Sequence, residues 1–473
     1  MILLVFPSMG DLASHWRVKA TYCQLGILAI LANMHVYLLI PNIRMIMESF
    51  ETSYTYVGIL MGIYIFMSGI AALAWSIYSD MTGLSRKVLM TISIAGGGFF
   101  SIVSSLTPNK YVFASFFILA GMSLSAIKPL STTIIVDIFK SYERSQRLMQ
   151  FRIISGLGVA FGFAIGVILG AYVDWRYPII ITGALYLAVG TPLSAIIIEP
   201  PKGLSERQLY DILRKTPYYP FSLKPKDFRS IAETKSNRYL MLQGIFGVIA
   251  GGSIEVWMLQ YLVSEAGANE LTASVFMGLG AIGTFGGIVI AWVADSLYRK
   301  SPRFRPLIAG ISSFLTGIFF VFLLYMPINI GVRVGNILDA IVMLVRQVAA
   351  GGVLAWAVLF FFLGMLFNGS IGSIRDSVIS DVNLPEHRAT VISAINIVEL
   401  FSKSLGIAII GALIDFLGNI RYPLMVSVSL WMVSGIAWMF VARHVERDSW
   451  KVDIVLYERR RFLGSIGGKK HNI

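Results

Sequence analysis

The chain has 473 residues, 56% of them hydrophobic and only 14% charged, with a mean hydropathy of +0.73. Soluble globular chains run nearer roughly 45–50% apolar and 25% charged, so a water-soluble enzyme, a disordered chain and a nucleic-acid-binding domain are all excluded. The formal charge of +13 does not argue for nucleic acid, because the basic residues sit in short loops and a tail, and the single cysteine, Cys23, leaves no intrachain disulfide, cysteine zinc site or iron–sulfur centre.

In chain order, Met1–Phe6 is apolar but too short for a signal-peptide core and reads as an N-terminal tail. Runs long enough to cross a bilayer follow at 20–43, 55–79, 88–106, 111–136, 150–173 and 177–198. A second set lies at 239–264, 271–294, 306–326, 353–380, 390–415 and 422–442. Twelve helices are expected. With an even number of spans both termini share a side, and that side receives 30 of the 39 Lys and Arg residues against 6 on the other. Short basic loops stay cytoplasmic, which predicts a multi-pass protein of the cell membrane with both termini in the cytoplasm.

The expected domains are a first bundle over 1–198, a cytoplasmic linker over 199–237, a second bundle over 238–443 and a cytoplasmic tail over 444–473. The linker carries an expected short amphipathic helix over Ser205–Lys215, then Pro217, Pro220 and Pro225. The tail holds Arg459-Arg460-Arg461 and Lys469-Lys470, either a topogenic solvated segment or one drawn to anionic headgroups.

The halves repeat in the same direction. Asp137-Ile-Phe-Lys-Ser-Tyr-Glu-Arg144 after span 4 recurs as Asp381-Val-Asn-Leu-Pro-Glu-His-Arg388 after span 10, offset by 244. Asp80 and Asp295 close spans 2 and 8 with an offset of only 215, so the second half holds extra residues between spans 8 and 10. The stretch 327–352 accommodates them, either as an external interfacial helix or as a re-entrant segment.

Parallel repeats of six spans are a transporter architecture. The 8–9 loop reads Ala291-Trp-Val-Ala-Asp295-Ser-Leu-Tyr-Arg299-Lys300, and the 2–3 loop reads Ser76-Ile-Tyr-Ser-Asp80-Met-Thr-Gly-Leu-Ser-Arg86-Lys87. Both resemble the Gly-x-x-x-Asp-x-x-x-Arg-Lys loop of the major facilitator superfamily. The text Thr132-Thr-Ile-Ile-Val-Asp137-Ile-Phe and Leu384-Pro-Glu-His-Arg388 is similar to its spinster-type lipid and organic-acid branch. Where that branch carries an Asp-Arg pair in span 1, this chain has Leu31-Ala-Asn-Met-His35. The resemblance implies an all-α membrane fold of two parallel-repeat six-helix bundles, whose spans 1, 4, 7 and 10 line a central cavity. It also implies a cytoplasmic gate formed by Asp80, Arg86, Lys87, Asp137, Arg144, Asp295, Arg299, Lys300, Asp381 and Arg388, with Asp80 and Asp295 able to pair with Arg86 and Arg299. The alternative is that these charges only set topology.

Glycines 158, 162, 166 and 170 make one smooth face of span 5, suited to close packing; span 11 offers a poorer counterpart in Gly406 and Gly411. Six ionisable residues other than histidine fall inside spans: Lys128, Glu255, Arg375, Asp376, Glu399 and Lys403. A charge at mid-membrane is costly, so each needs a partner or water. Glu399 and Lys403 are four apart with the acid first, which predicts an intrahelical bridge, with a coupling role as the alternative. Arg375 and Asp376, as neighbours, are not expected to face one another; Arg375 either joins the cytoplasmic network or contacts substrate.

Lys128 and Glu255 have no local partner. Lys128, followed by Pro129, is expected to attract an anionic group or to be a buried ion-pair member. Glu255, after Ala250-Gly251-Gly252-Ser253, is expected to carry a proton, bind a cation or bridge an external gate. Asn33, His35 and Asn368 add polar lining, although a lone span histidine is more often a packing residue.

The function expected is a monomeric secondary transporter for a small organic solute, anionic or amphipathic, working by alternating access among membrane lipids, with protons as the coupling ion. No cofactor or metal site is expected. A transport-dead sensor or scaffold of the same fold is the alternative. An intramembrane lipid-processing enzyme is disfavoured, since His-Glu-x-x-His, Gly-x-Ser-x-Gly and a Gly-rich phosphate loop are all missing from the sequence.

Overall fold

A computed structural model describes residues 9–82, 84–139, 141–199, 231, 233–331 and 336–469. Among these every regular element is helical, and twelve helices are long and apolar enough to span a bilayer. In the first half they are Val18–Phe50, Tyr54–Ser79, Arg86–Leu106, Lys110–Ile135, Gln150–Gly170 and Arg176–Ala195, numbered here spans 1 to 6. Spans 7 to 12 are Lys235–Ser264, Glu270–Tyr298, Phe304–Tyr325, Val353–Val382, Val391–Leu417 and Arg421–Val455. The predicted helix over Ser205–Lys215 lies outside the described residues.

The chain divides into two compact units, one of Met1–Thr52 with Ile63–Lys215, the other of Ser53–Gly62 with Thr216–Ile473. In the first, the glycine face of span 5 meshes with span 1 at matching four-residue steps. A Cβ at Gly162 would stand 2.6 Å from the Met34 carbonyl oxygen, and one at Gly166 would stand 2.8 Å from that of Leu38. Gly158 and Gly170 meet Ile30 and Asn42 closer still. Asn42 ties the contact by donating to the carbonyls of Leu38 (2.8 Å) and Gly166 (2.9 Å). Two backbones approach this closely only where side chains are missing.

In the second unit, spans 7, 11 and 12 pack together, with Gly406 against Ile249 of span 7. The Asp415 carboxylate caps the start of span 2, whose first turns belong to this unit, accepting from the Tyr54 amide (3.0 Å) and the Thr55 amide (2.6 Å). The helix of span 12 does not stop at the membrane: it runs unbroken over Arg421–Lys469. The segment assigned from sequence as a tail continues that helix, and it contains no proline to interrupt it. Asp448 pins that extension, accepting from the Ser236 amide (3.1 Å) and hydroxyl (2.8 Å).

Candidate substrate and coupling site

Span 4 is interrupted. Its helix runs over Lys110–Leu124, turns through Ser125 and Ala126, and resumes over Ile127–Ile138. Pro129 causes the break, because it has no amide to offer the Ser125 carbonyl and its ring crowds that turn. Lys128 stands beside the break with its side chain exposed. Among the described residues its ammonium has neither a hydrogen bond nor an ion pair, and the charge that bears on it is another cation, Arg152 of span 5. Arg152 is also exposed and also without an acidic partner among the described residues. The sequence reading passed over Arg152 by counting it as a loop charge.

The remaining polar residues of the first unit are closed in. Asn33 donates to the Ser155 carbonyl (2.9 Å) and hydroxyl (2.7 Å), fastening span 1 to span 5. His35 is fully buried; its ring stacks on Phe117 (4.3 Å between centroids), and Nδ1 lies 3.1 Å from the Tyr64 hydroxyl.

The second unit gathers its membrane charges into two ionic clusters on spans 7, 10 and 11. Lys403 donates to Glu255 at 2.5 Å. Arg375 pairs with Glu399 through one terminal nitrogen, while its Nε (3.1 Å) and other terminal nitrogen (3.0 Å) donate to Asp376. Two expectations are corrected here. Glu399 and Lys403 do not bridge along span 11; each reaches a neighbouring helix. An intrahelical bridge would strip Glu255 of its lysine and Glu399 of its arginine, whereas two cross-helix pairs leave no membrane cation of the unit alone. Arg375 and Asp376 do meet. Their Cβ atoms diverge, but the long guanidinium arm curls back to its neighbour.

The small residues before Glu255 serve the helix contact. A Cβ at Gly252 would stand 2.7 Å from Lys403 Cγ, and one at Gly244 would stand 2.5 Å from Glu399 Oε1. Asn368 is half-buried on span 10 and has no hydrogen-bond partner among the described residues.

At the end that carries the termini, each unit has an ionic bracket. In the first, Glu199 receives the Arg86 Nε (2.8 Å), the amides of Arg86 (3.0 Å) and Lys87 (3.3 Å), and the Ser85 hydroxyl. Burial alone would raise the Glu199 carboxyl; together the hydrogen bonds outweigh it and hold the group below its ordinary value.

In the second unit the hub is Arg305. It pairs with Asp295 (2.8 Å) and Asp381 (2.8 Å), and its guanidinium lies 3.7 Å from the centre of the Tyr298 ring. Asp295 therefore pairs with Arg305 rather than with Arg299, which is exposed, like Lys300, and has no ion pair among the described residues. A half-buried fork satisfies two carboxylates at once, whereas a pair in open water is worth little. Glu199 and Arg305 were missed because both were counted as loop residues. The side chains of Asp80, Asp137, Arg144 and Arg388 lie outside the described residues.

Twelve spans in two six-span sets, with charged groups held inside apolar helices, are the arrangement of a polytopic membrane protein and are compatible with a transporter. Residues 25–356 match the Major Facilitator Superfamily, and the chain belongs to it. The chain is 23% identical over 332 residues to the sphingosine-1-phosphate transporter SPNS2 of Danio rerio, covering 66% of this chain and 64% of that one. It is 25% identical over 246 residues to protein spinster homolog 1 of Xenopus laevis, covering 48% and 45%. These matches thus span between about half and two thirds of the relatives' lengths. Among solved structures, a bacterial homolog of the human lysosomal transporter Spinster, inward-facing and occupied, superposes with a TM-score of 0.68 at 14% identity, covering 90% of this chain and 97% of that one. That likeness concerns the fold.

Proposed function

We propose that the protein is a secondary active transporter that carries a small organic anion, soluble or amphipathic, by alternating access and in exchange with or together with protons. The observation that carries this reading is Lys128: a cation beside a broken helix in mid-span, facing a second cation and no acid among the described residues. An unpaired ammonium is too costly to leave in lipid, so it belongs in a hydrated site where an anionic substrate completes the charge balance. The name of the SPNS2 relative, a carrier of an anionic amphiphile, is consistent with that chemistry. Coupling falls to Glu255. A proton on its carboxylate cancels the attraction that holds Lys403 and loosens span 7 from span 11. His35, sealed among aromatic rings, is assigned to packing, and Asn33 to the span 1–span 5 contact. The brackets on Glu199 and Arg305 would stiffen the cytoplasmic end of each bundle.

The test is a thermal-stabilisation panel of organic anions on the purified protein, followed by counterflow of the best ligand in liposomes. Wild type should exchange it, a pH gradient should drive uptake, and Lys128→Met should lose at least about tenfold in affinity. Binding without counterflow would point to a sensor of the same fold. Uptake indifferent to the gradient and unchanged in Glu255→Gln would remove protons from the mechanism.

A further inference from the structure

The helix Ile337–Ala349 joins span 9 to span 10 on the side opposite the termini, and it is too short to cross a bilayer. Asn336 caps it by accepting from the Asp339 amide at 2.8 Å, and Arg346 in its last turn complements the helix dipole. It is therefore a built helix with defined ends. The chain before it is anchored: the Ile330 amide donates to the Ala266 carbonyl at 2.8 Å, and Ile328 and Ile330 are buried. Behind it, Gly351 and Gly352 turn the chain sharply at φ of 83° and 85°, a conformation suited to glycine.

Most of its residues sort into three sectors around the axis; Met343, 41% exposed at about 300° from Ala340, falls outside them. With Ala340 at zero and about 100° per residue, Leu344 falls near 40°; Ile341, Val345, Leu338 and Val342 run from about 100° to 200°; Arg346 and Asp339 lie near 240° and 260°. Ala340 and Leu344 are buried, at 0% and 1% exposure, where the helix packs on spans 8 and 10. The second sector is wholly aliphatic and open: Leu338 is 70% exposed, Ile341 41%, Val342 48% and Val345 48%. The third sector is charged and open. A two-faced helix would serve a bundle surface in water. Three sectors suit a helix that meets protein, hydrocarbon and water at once.

The flanking residues set its depth. Tyr325 closes span 9 and Trp356 opens span 10, and both are widely exposed. Exposed Tyr and Trp at span ends mark the headgroup level. Span 10 itself begins with exposed apolar residues, Val353, Trp356 and Leu359.

We propose that this helix lies in the plane of the membrane, with Leu338, Ile341, Val342 and Val345 seated in the acyl–headgroup boundary of the leaflet away from the termini. Asp339 and Arg346 then point into water. Its two opposite charges give it no preference for anionic lipid, so the contact is an apolar one.

The test is site-directed spin labelling of the full chain in liposomes, on a Cys23→Ser background, with single cysteines at 338, 341, 342 and 345 and at 339 and 346. Collision with oxygen, which concentrates in hydrocarbon, should exceed collision with a water-soluble nickel chelate several-fold at the first four positions. The order should reverse at the last two. Chelate access at all six would place the helix in water and overturn the proposal. Low access to both reagents at the aliphatic four would mean a second copy or another protein covers that sector, and would overturn it equally. Repeating the measurement in detergent distinguishes a covering protein, which dilution removes, from lipid.

Discussion

The two units hold polar groups inside the membrane by opposite means. The first has two exposed span cations, Lys128 and Arg152, with no acidic partner among the described residues; its neutral candidates are locked, Asn33 on Ser155 and His35 among aromatic rings. The second has five charges on three helices and pairs them internally, Lys403 with Glu255 and Arg375 with Glu399 across helices, and Arg375 with its neighbour Asp376. One unit leaves a charge to be completed from outside, and the other completes its own. On the proposed reading, that division would separate a residue free to bind substrate from residues whose loss destabilises the bundle.

The sharpest way to break the contrast is to delete one cation from each unit. Arg375→Met strands Glu399, which is only 9% exposed, together with Asp376. Removing one partner of a buried ion pair costs roughly 3–5 kcal/mol, so thermal unfolding in detergent should fall by many degrees. Adding Glu399→Gln should restore part of it, because the second change removes the stranded charge. Lys128→Met should leave the midpoint unchanged or raise it, since no pair is lost, while abolishing ligand-induced stabilisation. Equal destabilisation by both single variants would mean that Lys128 is a structural charge.

Much of this was legible in the sequence and some was not, for one reason. Span positions follow from local hydropathy, and the repeat from local motifs, so all twelve spans were found, with bounds within several residues except at the end of span 12, which runs on to Val455. The mesh of Gly158–Gly170 with span 1 was foreshadowed by its spacing, though the partner helix was not. Charge pairing was misread because five charges on spans 7, 10 and 11 admit several pairings of similar local merit. The choice depends on which helices touch. Arg305 and Glu199 went unnoticed because a sign count treats a charge at a helix end as solvent-exposed, although both are substantially covered.

A middle-sized effect separates the glycines of span 5 from one another. At Gly162 a methyl group would strike the Met34 backbone, whereas at Gly156 it would meet nothing within 4 Å. Gly162→Ala should cost about 1–3 kcal/mol by forcing spans 1 and 5 apart. Gly156→Ala should be neutral or stabilising by up to about 1 kcal/mol through helix propensity. Thermal midpoints of the two variants in one detergent check this, and equal values would remove the mesh as the contact that fixes span 1 on span 5.

The smallest effect, and the one that pH can isolate, lies at the end brackets. Glu199→Gln keeps one acceptor for the Arg86 amide but loses the charge that Arg86 Nε faces, and should cost roughly 1–2 kcal/mol at neutral pH. The folded carboxyl is held below its ordinary value of 4.5. Its contribution is therefore fully present above that value and disappears as pH falls through the lower folded one. Wild type and Glu199→Gln should differ in thermal midpoint near pH 7 and converge in acid. Arg299→Ala in the second unit, which removes an exposed cation from open water, should change stability by less than about 0.5 kcal/mol at any pH. If Glu199→Gln shows the same flat profile, the bracket of the first unit is no tighter than a surface pair. The stiff ends assigned to both bundles would then rest on Arg305 alone.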